Sequence, residues 1–162
     1  MEGAKALSGY VVLANFVFWP VMQLGVAWMA LRLPERWFQQ RDERRPHRAE
    51  LGMYRRVLFV KLWKRLLPDG ASWLGGGFSK AKLESHQREY LERFVAETRR
   101  GEITHMVAMV CSLASFWWNP RSVWPVLVAV AVVLNMPCIV VQRYNRFVLQ
   151  PRLSAMSRDG RS

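Results

Sequence analysis

Glu97-Thr98-Arg99-Arg100-Gly101-Glu102-Ile103-Thr104-His105 is a polar run that feeds an imidazole into an apolar segment. Seven of its first eight residues are charged, polar or glycine, and from His105 no Asp, Glu, Lys or Arg appears until after Trp118. Ionisable groups at the edge of a hydrocarbon layer are costly to desolvate, so Glu102 and His105 are functional candidates. Arg99 and Arg100 have a plainer reading as snorkelling anchors at a helix end. Whether the segment they introduce crosses a bilayer decides the fold.

Ile103 to Trp118 is 16 residues, short for a span on its own. Asn119-Pro120-Arg121-Ser122 joins it tightly to Ser122–Gln142, which has 21 residues without a charge, and Gly9–Leu31 has 23. About 20 apolar residues cross the hydrocarbon core of a bilayer. The 162 residues suit a single domain, and they are 51% apolar and 22% charged with the two classes strongly segregated. The pattern predicts an all-α integral membrane protein. About three transmembrane helices cover roughly 9–31, 103–118 and 122–142, the last two forming a helical hairpin.

The positive charge sets the orientation. Residues 32–102 hold 17 Lys/Arg against 10 Asp/Glu, and residues 143–162 hold 5 against 1. The first 8 residues hold 1 against 1, and the hairpin turn carries only Arg121. By the positive-inside rule, the 32–102 region and the 143–162 tail face the cytoplasm, while the N-terminus and the hairpin turn face outward across the plasma membrane. Because the basic residues flank spans, the net +12 charge points to anionic lipid or an acidic cofactor and away from nucleic acid. The first apolar run is too long for a signal-peptide core and lacks a basic leader, so it is expected as a retained span. Cys111 and Cys138 lie within spans with no metal-type or disulfide spacing.

The first span contains Asn15, Pro20 and Gln23. Asn15 and Gln23, eight apart, lie about 80° from one another around a helix and suit hydrogen bonding to other spans. Pro20 predicts a kink. Tyr54–Leu67 sets Arg55, Arg56, Lys61, Lys64 and Arg65 among Val57, Leu58, Phe59, Leu62, Trp63 and Leu66. Such a segment reads as a basic amphipathic helix in the cytoplasmic interface. Pro68-Asp69-Gly70 ends it with turn chemistry, which gives Asp69 a structural role beside its candidacy as a carboxylate near the headgroups. Gly75-Gly76-Gly77-Phe78-Ser79-Lys80 lacks phosphate-loop spacing. Ser79 suits the N-cap of a second amphipathic helix over about 80–100.

Counted outward from Arg121, His105 is 16 residues away, Asn135 14, Glu102 19 and Gln142 21. At about 1.5 Å per residue these groups fall within roughly 10 Å of one depth. The hairpin therefore opposes Glu102 and His105 to the cluster Asn135, Gln142, Arg143, Asn145 and Arg146 on the cytoplasmic side. Glu102 and His105 stand at i and i+3, neighbours on one helical face. A carboxylate there can orient an imidazole that accepts a hydroxyl proton. Carboxylate-bridged metal bundles use the same pair but need a further His from another helix, and no span supplies one. Arginines at the margin, Arg99, Arg100, Arg143 and Arg146, have the planar geometry that recognises phosphate.

Four blocks carry a family resemblance: Trp63-Lys64-Arg65-Leu66-Leu67-Pro68-Asp69-Gly70, Gly77-Phe78-Ser79-Lys80-Ala81-Lys82-Leu83, Glu97 to His105 as quoted above, and Asn135-Met136-Pro137-Cys138-Ile139-Val140-Val141-Gln142-Arg143-Tyr144-Asn145-Arg146. In order and spacing, from about Leu33 to Leu149, the chain resembles the glycosyl-4,4'-diaponeurosporenoate acyltransferase family, which completes staphyloxanthin-type carotenoids. A departure is Phe147-Val148-Leu149, where the family continues with another basic residue and Leu; Arg152 is the next cation.

The resemblance implies a membrane acyltransferase that moves a fatty acyl group onto a sugar hydroxyl of a glycosylated carotenoid or related glycolipid. On that basis acyl-CoA is the expected donor, with no bound cofactor or metal. His105 is then the expected base and Glu102 its orienting group. Arg143 and Arg146, with Arg99 or Arg100, are expected on the donor phosphates. Gln142 or Asn145 is expected at the developing oxyanion, and Asp69 and Asn135 complete the substrate-binding set. The alternative from another class is a non-catalytic membrane scaffold or lipid-binding subunit of a pigment or lipid pathway.

Overall fold

A computed structural model describes residues 2–39, 48–56, 58–63 and 83–159. The described residues form five α-helices and no strand: α1 (Glu2–Arg32), α2 (Arg48–Arg56), α3 (Val60–Trp63), α4 (Arg88–Ser112) and α5 (Trp124–Asp159). α4 and α5 make the antiparallel hairpin that dominates the packing, and α1 lies against α4.

The hairpin turn is closed by its own polar groups. Ser112 and Ser115 hydroxyls donate to the carbonyls of Met109 and Ser112, at 2.6 and 2.7 Å. There the helix tightens into a 3₁₀ turn over Leu113–Trp117. Asn119 Nδ2 donates to the Ser115 carbonyl at 2.7 Å, and Trp124 Nε1 donates to the Asn119 carbonyl at 3.1 Å. Phe116 stacks on Trp124 with centroids 4.5 Å apart. Pro120, which has no N–H to leave unpaired, precedes the 3₁₀ turn Arg121–Val123 that opens α5.

Among the described residues, two helices are long and apolar enough to cross a membrane, Ser8–Arg32 and Arg121–Met156. Their surfaces are inverted relative to a water-soluble bundle. Phe16 is 79% exposed and Val133 69%, whereas Asn135 is fully buried. Exposed apolar faces on this scale mark a surface for lipid or partners, and buried amides that tie helices together are how helices associate in lipid. The segment expected as a third span falls on the C-terminal part of α4 with its 3₁₀ turn, and α4 is not among the helices long and apolar enough to cross. From Ile103 to Trp117 it rises about 25 Å, most of the roughly 30 Å hydrocarbon thickness. Its charged N-terminal half continues the same helix, which is why α4 as a whole is not apolar.

Several element boundaries differ from expectation. The helix predicted over 80–100 begins only at Arg88, with residues 83–87 non-helical, and it joins the segment predicted from 103 in one continuous helix, α4, running unbroken through Gly101. α5 likewise passes the expected boundary at 142 and stays helical to Asp159, with Pro137 and Pro151 inside it. The amphipathic helix predicted over 54–67 begins earlier, at Arg48, and breaks at Phe59, whose φ is +46°. Packing explains the break. Tyr54 and Val60 would stand about 120° apart on a continuous helix, yet both are buried in one cluster around Tyr144. A second cluster of Leu91, Phe94, Val95 and Leu149 closes the same end of the hairpin. Residues 64–67 of the predicted helix, the turn at Asp69 and Ser79 lie outside the described residues.

Candidate functional site

The polar groups collect where α1, α4 and α5 meet. Asn135, with no exposed surface, is the centre. Its Nδ2 donates to the Ala131 carbonyl one turn back at 2.9 Å. Its Oδ1 lies 3.0 Å from His105 Nδ1 on α4 and accepts from Gln23 Nε2 on α1 at 3.2 Å. The second amide of α1 is engaged nearer the hairpin turn. Asn15 and Asn119 exchange side-chain hydrogen bonds at 2.8 and 3.0 Å, and Trp118 Nε1 donates to Asn15 Oδ1 at 3.3 Å. Both polar residues of the first span therefore face the other spans, as their spacing suggests.

One turn before His105 on α4, Glu102 is 4% exposed and ion-paired through both oxygens. Arg143 Nε meets Oε1 and Arg146 Nη2 meets Oε2, each at 2.5 Å. The two arginines stand at i and i+3 on α5 and so straddle one carboxylate. They differ in access: the Arg143 side chain is 44% exposed and that of Arg146 12%. A carboxylate buried this deeply needs such partners, since an uncompensated one is several kcal/mol more costly. Between the two clusters Gln142 packs flat on Gly101. A Cβ there would approach Gln142 Cδ and Nε2 to 3.1 Å, so the glycine sets how closely α5 meets α4. Gln142 Oε1 and Arg146 Nη1 are buried with no partner among the described residues. Unmatched polar atoms of this kind in a native interior call for an explanation, and a bound polar ligand supplies one.

The expected residues are thus brought together, with different wiring. Glu102 was expected to orient His105; the structure gives its oxygens to Arg143 and Arg146 and puts Asn135 on the imidazole. The reason is charge: a carboxylate between two guanidiniums gains two charge-assisted hydrogen bonds. Arg100, expected on substrate, is used by the fold. It donates to the Leu33 carbonyl at the end of α1 at 3.3 Å, pairs with Glu97 at 3.4 Å and lies 4.9 Å over the Phe38 ring. Arg99 is half-buried with no ion pair among the described residues. Asn145, half-buried, follows Arg143 by two residues, which directs it about 160° away from that guanidinium around α5. Asp69 lies outside the described residues.

Sequence reasoning did not count three contributors. Gln23 was marked only as an interhelical hydrogen bonder, although an amide in an apolar span at the depth of Asn135 was the available signal. Gly101 was legible as a glycine inside a charged helical run. Tyr54, buried and near enough to interact with Arg143, left no signal, because its approach depends on the break at Phe59. Chemically, the arrangement offers an anchored imidazole, a nearby amide, and a guanidinium pair fixed in place yet open to solvent on one side.

A family model described as glycosyl-4,4'-diaponeurosporenoate acyltransferase matches residues 34–157. Curated relatives carrying that same name come from Staphylococcus aureus strains bovine RF122 / ET3-1, Newman and USA300. Each is 26% identical over 161 residues, covering 96% of this chain and 97% of the relative. No solved structure matches.

Proposed function

This chain belongs to the glycosyl-4,4'-diaponeurosporenoate acyltransferase family and is an acyltransferase, and we propose that it moves a fatty acyl group onto a sugar hydroxyl of a glycosylated carotenoid, using His105 as general base. The observation that carries this reading is the 3.0 Å contact of the half-buried His105 ring with buried Asn135, beside the Glu102–Arg143–Arg146 cluster at one depth of an apolar hairpin.

In the proposed reaction, His105 takes the proton of the sugar hydroxyl as its oxygen bonds to the acyl carbonyl carbon of a thioester such as acyl-CoA. The carbonyl oxygen becomes an oxyanion, which the Gln142 amide stabilises by donation. Collapse expels the thiolate, which regains the proton from the His105 imidazolium. Arg143, the more open guanidinium, takes the donor phosphates with Arg99, while Glu102 and Arg146 hold it in position. Asp69 binds sugar hydroxyls of the acceptor. The acceptor polyene lies along the exposed apolar faces of α1 and α5, and the chain sits in the plasma membrane with the α4–α5 turn outward and the guanidinium cluster cytoplasmic.

The test is expression in cells that make a glycosylated carotenoid, followed by mass spectrometry for the added acyl mass. Turnover by the purified protein alone separates the enzyme from a scaffold subunit. An unacylated pigment in cells that contain the inserted protein would count against the proposal.

A further inference from the structure

We infer that Asn135, secured by Gln23 of α1, is a positioning residue that holds His105 in the tautomer with its proton on Nδ1. The inference rests on the reading of His105 as base but makes a claim about the resting protein that can fail separately.

The argument is one of hydrogen-bond polarity. An amide side chain has one donating and one accepting end. Asn135 Nδ2 donates to the Ala131 carbonyl at 2.9 Å, a group that can only accept. Turning the amide over would place Oδ1 against that carbonyl, two acceptors in contact at a site with no exposed surface. Oδ1 therefore points the other way, where Gln23 Nε2 donates to it at 3.2 Å. The same oxygen lies 3.0 Å from His105 Nδ1. An oxygen acceptor fixes the facing nitrogen as N–H, and in a neutral imidazole this places the lone pair on Nε2. A base that works through Nε2 needs that tautomer, and free histidine favours the other one.

The consequence reaches beyond the hairpin. His105 is on α4 and Asn135 on α5, but Gln23 is on α1, so the first helix takes part in preparing the base. Glu102, the residue that spacing alone nominated for this task, is committed to Arg143 and Arg146. Three helices, each contributing one side chain, define which ring nitrogen carries the proton in the neutral imidazole.

The test uses the full chain in lipid nanodiscs, with ¹⁵N-histidine labelling and His47 and His86 replaced by Gln, so that the remaining one of the three histidines reports alone. At a pH where the ring is neutral, the expected spectrum has a protonated Nδ1 and an unprotonated Nε2. Asn135→Ala moves the population towards Nε2–H and lowers kcat by about 10- to 100-fold with little change in KM, less than the roughly 10²–10⁴-fold that the positioned base itself supplies. Gln23→Met, which leaves the Ala131 bond in place, keeps the Nδ1–H signature and lowers kcat less. It serves as the folded check if Asn135→Ala fails to insert. A wild-type spectrum with the proton on Nε2 overturns the inference, as does an Asn135→Ala spectrum identical to wild type. Activity of His105→Ala tests the base reading on its own: turnover there removes the base, whereas loss of turnover with an Nε2–H spectrum removes only the wiring.

Discussion

At the scale of single residues, two side chains and a glycine bear most of the chemistry. His105→Ala is expected to reduce acyl transfer below a few per cent of wild type while the protein still inserts, read as product by mass spectrometry beside a membrane-fraction blot. Retained turnover would end the assignment of the base. Arg143→Ala is expected to raise the apparent KM for an acyl-CoA donor by roughly tenfold, the worth of one exposed charge-assisted contact. A fall in kcat alone argues against phosphate binding. Gly101→Leu must displace Gln142, since even a Cβ approaches it to 3.1 Å. Overpacking of this sort costs about 1–3 kcal/mol, which thermal unfolding in detergent measures. The candidates His105 and Glu102 were legible as residues because charge inside an apolar context stands out. Their partners were not, because i, i+3 adjacency on α4 says nothing about what α5 places opposite.

At the scale of elements, α1 acts as more than an anchor. Arg32 stacks over Trp28 at 3.3 Å at its C-terminal end, and Arg100 reaches the carbonyl just beyond it. The reciprocal Asn15–Asn119 pair ties its other half to the hairpin turn. Asn15→Leu is expected to weaken the docking of α1 by about 1 kcal/mol, the usual worth of an interhelical hydrogen bond in lipid. The readout is earlier loss of helix packing in a detergent titration. A stability equal to wild type would show that α1 is held by apolar contact alone. The helices themselves were legible from hydropathy and turn residues. Their ends were not: α4 and α5 run straight through predicted boundaries because charge does not stop a helix, and α2 breaks because Tyr54 and Val60 both seek Tyr144.

At the scale of the whole molecule, the fold is a hairpin with apolar outer faces, a polar seam and a packed cap at one end. The seam and the cap share that end, so the proposed reaction lies where an aqueous donor and a lipid acceptor can meet. Topology is open to direct measurement in intact cells, after Cys111 and Cys138 are changed to Ser. Arg121→Cys is expected to react with an impermeant maleimide from outside, and Arg152→Cys only after lysis. The reverse pattern would place the guanidinium cluster on the outer face and remove cytoplasmic acyl-CoA as the donor.

The sequence by itself determined an all-helical, membrane-type chain, its hairpin turn and the end at which polar groups gather. Those properties follow from local composition, because apolar length, turn residues and charge placement each act over a few neighbouring residues. Only the tertiary structure decided that Glu102 holds two arginines, that Asn135 faces His105, and that Gln23 reaches them from a third helix. These pairings join residues 30 to 112 positions apart. The polarity of an amide and the reach of a guanidinium settle them only once the helices are packed.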